Sequence, residues 1–136
     1  MIFITLDGKS LLTQNDLSTS PEIISPASLA YIGDGVYELY IRSYYLLPAK
    51  RICDYHKQVV TQVKAETQAQ HLRSLYPYLT EQEKEILKRG RNAATGKPRR
   101  LSLSIYQQAT SLEALIGYLY LTDADRLQEL FNYLEL

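Results

Sequence analysis

Residues Leu29 to Leu47 form the stretch that most limits how this chain can fold. They read Leu-Ala-Tyr-Ile-Gly-Asp-Gly-Val-Tyr-Glu-Leu-Tyr-Ile-Arg-Ser-Tyr-Tyr-Leu-Leu, apolar or aromatic almost all round. Ser25-Pro26 in front supplies an N-cap and a proline for the first helical position, and Pro48 stops the run, so a helix is predicted to about Leu46. Leu29, Ile32, Val36, Leu39 and Tyr40 fall on one stripe, with Ala30, Asp34, Glu38 and Ile41 on the opposite side. A helix with apolar residues on both sides is expected at the centre of a bundle. Asp34 is the anomaly, because a carboxylate inside such a helix is costly unless it is paired, hydrogen-bonded or bound to a metal.

A second anomaly lies far downstream. In Ser111-Leu-Glu-Ala-Leu-Ile-Gly-Tyr-Leu-Tyr-Leu121, Glu113 interrupts another apolar helix. Small residues flank both acids (Gly33 and Gly35; Ala114 and Gly117), as expected where a cation and a phosphate come close. Magnesium takes oxygen ligands octahedrally, keeps several waters and typically uses one or two protein carboxylates. Asp34 and Glu113, from two packed helices, would supply that share and leave waters as potential nucleophiles. The competing structural reading is that each acid pairs with a buried arginine or caps a helix. The functional reading is a metal-dependent phosphodiesterase.

The rest of the chain reads as helices. Asp54 is expected to cap a second long helix through Val59, Val60, Val63, Ala69, Leu72 and Leu75, ending near Pro77. Thr80-Glu-Gln-Glu83 has capping-box spacing, predicting a third helix to about Arg89 that breaks at Gly90. Arg91 to Arg100, with Asn92, Gly96 and Pro98, reads as an exposed basic loop. A fourth helix is expected over Leu103 to Leu121, and Thr122 would cap a fifth through Leu127, Leu130, Phe131 and Leu134. Strand alternation is confined to a short piece at Ile2 to Leu6. The chain is therefore expected to be all-α, with an N-terminal arm over residues 1–24 and one domain over residues 25–136. At 136 residues it is long enough for one domain with a real core.

Net charge is zero, but the charge is not evenly spread. From Lys84 to Arg100 seven basic residues face one acid, Glu85, a local +6 that leaves the remainder at −6. Phosphate contacts need such a patch, and Lys88, Arg89, Arg91, Asn92, Lys97, Arg99 and Arg100 are its candidate RNA-binding residues. The bland alternative is a solvated basic loop. No aromatic is interleaved here, which favours a reader of double-stranded backbone over a single-strand stacking groove. The twelve tyrosines mostly sit among leucines (Tyr40, Tyr44, Tyr118, Tyr120), which favours packing in the core or between subunits over base stacking. Apolar residues on nearly every face of the first long helix (Leu39, Tyr40, Ile41, Tyr44, Tyr45) predict a two-fold homodimer.

Other chemistries have little to stand on. Hydrophobic residues make up 46%, yet no run is long and apolar enough to span a bilayer, so no membrane association is expected. The first twenty residues lack the pattern of a secretory signal, and the single Cys53 allows no internal disulfide, which makes the cytoplasm the expected location. Cys53 and His56 have a zinc-like offset, but His71 is the one other histidine and there is no second cysteine. Neither a histidine–aspartate doublet nor a glycine-rich phosphate loop is present, and no nucleophilic triad has a placed set of partners.

Leu29-Ala-Tyr-Ile-Gly-Asp34-Gly-Val resembles the signature helix of ribonuclease III, and Thr110-Ser-Leu-Glu113-Ala-Leu-Ile-Gly117 resembles the later metal-binding helix of that family. The form Tyr31-Ile-Gly-Asp34, the run Leu87-Lys-Arg-Gly-Arg-Asn92-Ala and the end of the chain soon after these helices resemble the Mini-ribonuclease III branch. That branch lacks a double-stranded RNA-binding domain. The resemblance covers Ser25 to Leu136 and implies a ribonuclease III endonuclease-domain-like helical bundle. By the same resemblance Asp34 is the catalytic aspartate and a metal ligand, and Glu113 the second metal ligand. Ala30 and Thr110 stand where the wider family carries acids, a reduced pattern similar to the Mini branch. The implied function is a magnesium-dependent endoribonuclease of double-stranded RNA, a homodimer in which each protomer cuts one strand. Its implied role is maturing precursor large-subunit (23S) ribosomal RNA in ribosome biogenesis. The alternative is a catalytically impaired RNA-binding module with the same fold.

Overall fold

A computed structural model describes residues 5–6, 9–10, 23–96 and 98–136. Two short strands, β1 (Thr5–Leu6) and β2 (Lys9–Ser10), pair antiparallel with Thr5 opposite Ser10. The described helices are α1 (Pro26–Tyr45), α2 (Ile52–Val63), α3 (Ala65–Leu75), α4 (Glu81–Ala93), α5 (Leu103–Thr122) and α6 (Ala124–Asn132), with a 3-10 turn at Tyr76–Tyr78. The predicted all-α fold is therefore present. The expected arm lies largely outside the described residues.

The helix at the centre is α5, not α1. Ala109, Ser111, Leu112 and the run from Ala114 to Leu119 are all buried, and α1, α3, α4 and α6 pack around them. On α1 the buried set is Leu29, Ala30, Gly33, Val36, Tyr37, Tyr40 and Ile41. The other face, with Tyr31, Asp34, Gly35 and Leu39, is open to solvent. Apolar residues do lie on both sides of α1, but the other helices cover only one of those sides. Ser25 caps α1 as expected, its side chain accepting the Ser28 N–H at 3.1 Å.

The predicted second helix is two helices. Lys64 takes an extended conformation between them, and side chains replace the interrupted ladder. Gln68 Nε2 donates to the Val63 carbonyl at 2.8 Å and Thr67 Oγ1 to the Thr61 carbonyl at 2.6 Å. The apolar spacing runs on through the break, so periodicity alone could not reveal it. Arg51, not Asp54, occupies the N-cap, and Asp54 lies in the first turn, 3.0 Å from the Arg51 guanidinium. An acid anywhere in a first turn complements the helix dipole, which makes the two placements alike in sequence. Similarly, Asp123 caps α6 through the Arg126 N–H at 3.0 Å, while Thr122 Oγ1 bonds back to the Tyr118 carbonyl at 2.8 Å.

The capping box of α4 is present: Thr80 Oγ1 accepts from the Glu83 N–H at 3.1 Å and Glu83 Oε1 from the Thr80 N–H at 2.9 Å. Gly90 does not break this helix. It is buried against α5, where a Cβ would stand 2.9 Å from Ala114 Cβ and 3.1 Å from Ser111 Cα. A glycine that reads as a stop is here a contact point, and α4 continues through Arg91 and Asn92. Arg126 then ties α6 to the start of α4. Its Nε and second guanidinium nitrogen donate to the two Glu83 oxygens at 2.9 and 3.0 Å, and it also reaches the Tyr78 carbonyl at 2.8 Å. Burial alone would raise the Glu83 carboxyl, but the Arg126 guanidinium and the Thr80 N–H outweigh it and hold the group below its ordinary value.

Candidate active site

Two glycines bring α1 and α5 into backbone contact. A Cβ on Gly33 would lie 1.8 Å from the Glu113 carbonyl oxygen, and one on Gly117 would lie 2.0 Å from the Leu29 carbonyl oxygen. The expectation that the small residues leave room for a phosphate is corrected here: Gly33 and Gly117 are used up by the crossing, while Gly35 has open space around it. Asp34 follows Gly33 and Glu113 lies on the facing helix, so the crossing itself puts the two carboxylates together.

Their environments differ. Asp34 is exposed, contrary to its expected burial, because it lies on the solvent side of α1. Glu113 is the desolvated member. Burial first, then the hydrogen bond to Asp34 and its charge, push the Glu113 carboxyl up to about 9. The pair therefore binds a proton more tightly than a lone carboxylate does. Neither carboxyl is paired with an arginine in any of the salt bridges among the described residues, and the half-buried Arg126 guanidinium is committed to Glu83. Behind the pair, the Tyr37 hydroxyl lies 2.8 Å from both the Gln62 carbonyl and His71 Nδ1, which pins α1 to α2 and α3. Burial and then the Glu113 charge raise the Tyr37 phenol, and burial lowers the His71 imidazole.

The carboxylates open into a cleft of about 260 Å³. Ala27, Ala30, Tyr31 and Asp34 line it from α1, Tyr106, Thr110 and Glu113 from α5, and Ala93 and Ala94 from the end of α4. Ala30 and Thr110, the positions where the resemblance expects acids, both face this space. Among the described residues no group of three or more metal-ligating side chains comes together, and Asp34 and Glu113 are the two acids that line this cleft. Oxygen donors close enough to share a proton suit a hard divalent cation that replaces it. Cys53 and His56 are both exposed on α2 and gain no further ligand there.

The basic residues lie elsewhere. Arg91 and Asn92 belong to α4 instead of the expected loop; Lys88, Arg91 and Asn92 are exposed and Arg89 is half-buried. Arg99 and Arg100 are exposed in a turn before α5, and Lys97 lies outside the described residues. Lys84, Lys88 and Arg91 share a groove of about 310 Å³ between α3, α4 and α5 with Glu81 and Glu85. Gly90 packs beside both spaces, near Ser111 of the groove and the Thr110 carbonyl of the cleft. Sequence reading counted Lys84 in the basic run and noted Thr110 only at a family acid position, and it did not single out Tyr106. The spacing of Tyr106, Thr110 and Glu113, four then three residues apart, was the available signal.

The ribonuclease III domain pattern matches residues 27–124, which includes both carboxylates and all of α1 to α5 except Pro26. A Mini-ribonuclease 3 from Synechocystis is 57% identical over 113 residues, covering 83% of this chain and 79% of that protein. One from Thermosynechococcus vestitus is 50% identical over 129 residues, covering 95% and 85%. A crystal structure of a Fusobacterium nucleatum protein superposes with a TM-score of 0.78 at 34% identity, over 85% of this chain and 96% of the other. The chain belongs to the ribonuclease III family, in its Mini-ribonuclease III branch. It is an endoribonuclease, and the family's substrate is double-stranded RNA. Among the described residues no helix is long and apolar enough to cross a membrane.

Proposed function

We propose that this endoribonuclease cuts double-stranded RNA at the Asp34–Glu113 cleft with magnesium, and that its substrate is precursor large-subunit (23S) ribosomal RNA. The observation that carries the site assignment is the hydrogen-bonded carboxylate pair facing an open cleft. Asp34 and Glu113 would hold the cation, and Asp34 is the catalytic aspartate. Magnesium, when bound, supplies charge stabilisation on the phosphodiester and a more acidic water. To hold a divalent cation, Glu113 would have to be ionised, so both carboxylates would then be charged. The backbone crossing at Gly33 fixes the spacing of the two oxygen donors.

Lys88, Arg89, Arg91, Asn92, Lys97, Arg99 and Arg100 are the proposed contacts to duplex phosphates, spread over the last turns of α4 and the segment that follows. Recognition by charge suits A-form RNA, whose deep major groove side chains cannot read. The active unit is a homodimer in this reading. Tyr31, 85% exposed, and Leu39, 40% exposed, stand on the open face of α1, and a two-fold partner would cover them. Two cleft-bearing protomers would each cut one strand. The single cysteine, free and exposed, suits a reducing cytoplasm.

The test is to incubate the pure protein with a long RNA duplex in magnesium and in EDTA, beside Asp34→Asn. Scission that needs magnesium and falls by orders of magnitude in the variant is the expected result. Duplex binding without metal-dependent scission would leave an RNA-binding module.

A further inference from the structure

The lining of the carboxylate cleft poses a problem of charge. A phosphodiester is an anion, and it must approach two acids. Yet no lysine, arginine or histidine lines the cleft among the described residues; its walls are alanine, tyrosine and threonine. A permanent cation there would pair with Asp34 or Glu113 and compete with a divalent ion for the same oxygens. A neutral hydroxyl donor avoids that competition.

Resting on the site assignment above, we propose that the Tyr106 and Thr110 hydroxyls hold the scissile phosphodiester by donating hydrogen bonds to its non-bridging oxygens. The two side chains line up with Glu113 along one face of α5, each one turn from the next. Both are half-buried. Several other helical hydroxyls are taken: Thr61 on α2 and Thr122 on α5 bond back to carbonyls one turn behind at 2.9 and 2.8 Å, and Ser111 to the Gln108 carbonyl at 2.8 Å. The Tyr37 and Tyr55 hydroxyls likewise donate to backbone carbonyls. Those of Thr110 and Tyr106 have no partner among the described residues, although they face the cleft beside the acids. Donors left free at such a place are available to a ligand that accepts, and phosphate oxygens only accept. The cation and the two hydroxyls then divide the work. The cation answers the carboxylate side, and the hydroxyls hold the anion from α5 at no cost in metal affinity.

Tyr106→Phe, Thr110→Val and Thr110→Ser decide this, measured on one RNA duplex under single-turnover conditions with saturating protein, with melting curves for each variant. A hydrogen bond to a charged group is lost in Tyr106→Phe and in Thr110→Val, so each should slow cleavage about tenfold or more. Duplex affinity should hardly change, because phosphates elsewhere are gripped by other residues. Thr110→Ser keeps the donor and should cut close to the wild-type rate. A phosphorothioate at the scissile position supplies a readout that packing would not move. Sulfur in the contacted non-bridging position should slow the wild type, and manganese should not restore the rate. That penalty should shrink in the variant lacking the donor. Should Thr110→Val fail to fold, the Tyr106→Phe rate and its phosphorothioate penalty settle the matter. Wild-type rates in well-folded Tyr106→Phe and Thr110→Val would overturn the proposal, as would Thr110→Ser as slow as Thr110→Val. An Asp34→Asn protein that still cuts would instead overturn the site assignment on which it rests.

Discussion

Gly33 and Glu113 meet through their backbones: a Cβ on Gly33 would lie 1.8 Å from the Glu113 carbonyl oxygen and 2.8 Å from the Gly117 N–H nitrogen. Backbone cannot swing aside as a side chain can. Gly33→Ala must therefore push α1 away from α5, at a cost of about 2–3 kcal/mol in stability. The carboxylates move with it, so cleavage should fall further than stability does. Gly35→Ala is the control. It meets nothing within 4 Å, and removing a helical glycine there should hold or raise the melting temperature. Equal melting of Gly33→Ala and wild type would contradict the crossing.

Glu113 predicts a slope with pH. Its folded value, about 9, stands above the ordinary 4.5, so the folded state binds a proton that the unfolded state releases over that interval. Without metal, stability should fall as pH rises from about 4.5 towards 9, and Glu113→Gln should remove that component. Apparent magnesium affinity should rise over the same window, since the cation displaces the proton. Denaturant titrations at several pH values in EDTA, together with calorimetric magnesium titrations in two buffers, check both halves. A flat difference between wild type and Glu113→Gln would rule the shared proton out.

Arg126 predicts the opposite sign at the far end of α4. The Glu83 and Arg126 side chains are 7% and 18% exposed, so Arg126→Ala leaves a buried carboxylate unpaired and should cost about 3–5 kcal/mol. Because the Glu83 carboxyl is held below its ordinary value, this contribution is fully present above about pH 4.5 and is lost as pH falls through the folded value. The gap between wild type and Arg126→Ala in urea unfolding should narrow in acid. Persistence of the whole gap at pH 2 would show that packing, not charge, sets it.

Lys88→Ala with Arg91→Ala should weaken binding to many duplexes by a similar factor. The slope of log affinity against log salt should flatten by about one to two. Measured on an Asp34→Asn background, coincident slopes, or a loss confined to one sequence, would exclude a backbone grip. Arg89 is half-buried and already engaged within the protein, so its replacement should flatten the slope less.

What the sequence made legible follows from which forces act locally. Ser25-Pro26 and Thr80-Glu-Gln-Glu83 announce helix starts, because a cap is made by residues three apart. Asp34 and Glu113 were readable as a pair because each interrupts an apolar run that nothing else explains. Their unequal burial was not, since it depends on which face of α1 meets α5. Gly90 carries the same lesson. As a lone letter it reads as a breaker, and only Ala114 and Ser111, brought up from another helix, make it a packing position. The split at Lys64 was hidden because Gln68 and Thr67 satisfy the freed carbonyls with side chains ordinary for any helix surface. Tyr106 is silent in the sequence, and Thr110 stands out there only as a missing acid, because a neutral hydroxyl breaks no apolar or charge pattern.

Asp34 and Glu113 stand 79 residues apart in the chain, and nothing but the docking of α5 beneath α1 brings them together. A growing polypeptide that has not yet emitted α5 holds one half of the pair and no cleft. If cutting takes place at this cleft, it has to wait until α5 has been made and has docked on α1. The crossing of two helices is then also a condition on when the two acids can meet.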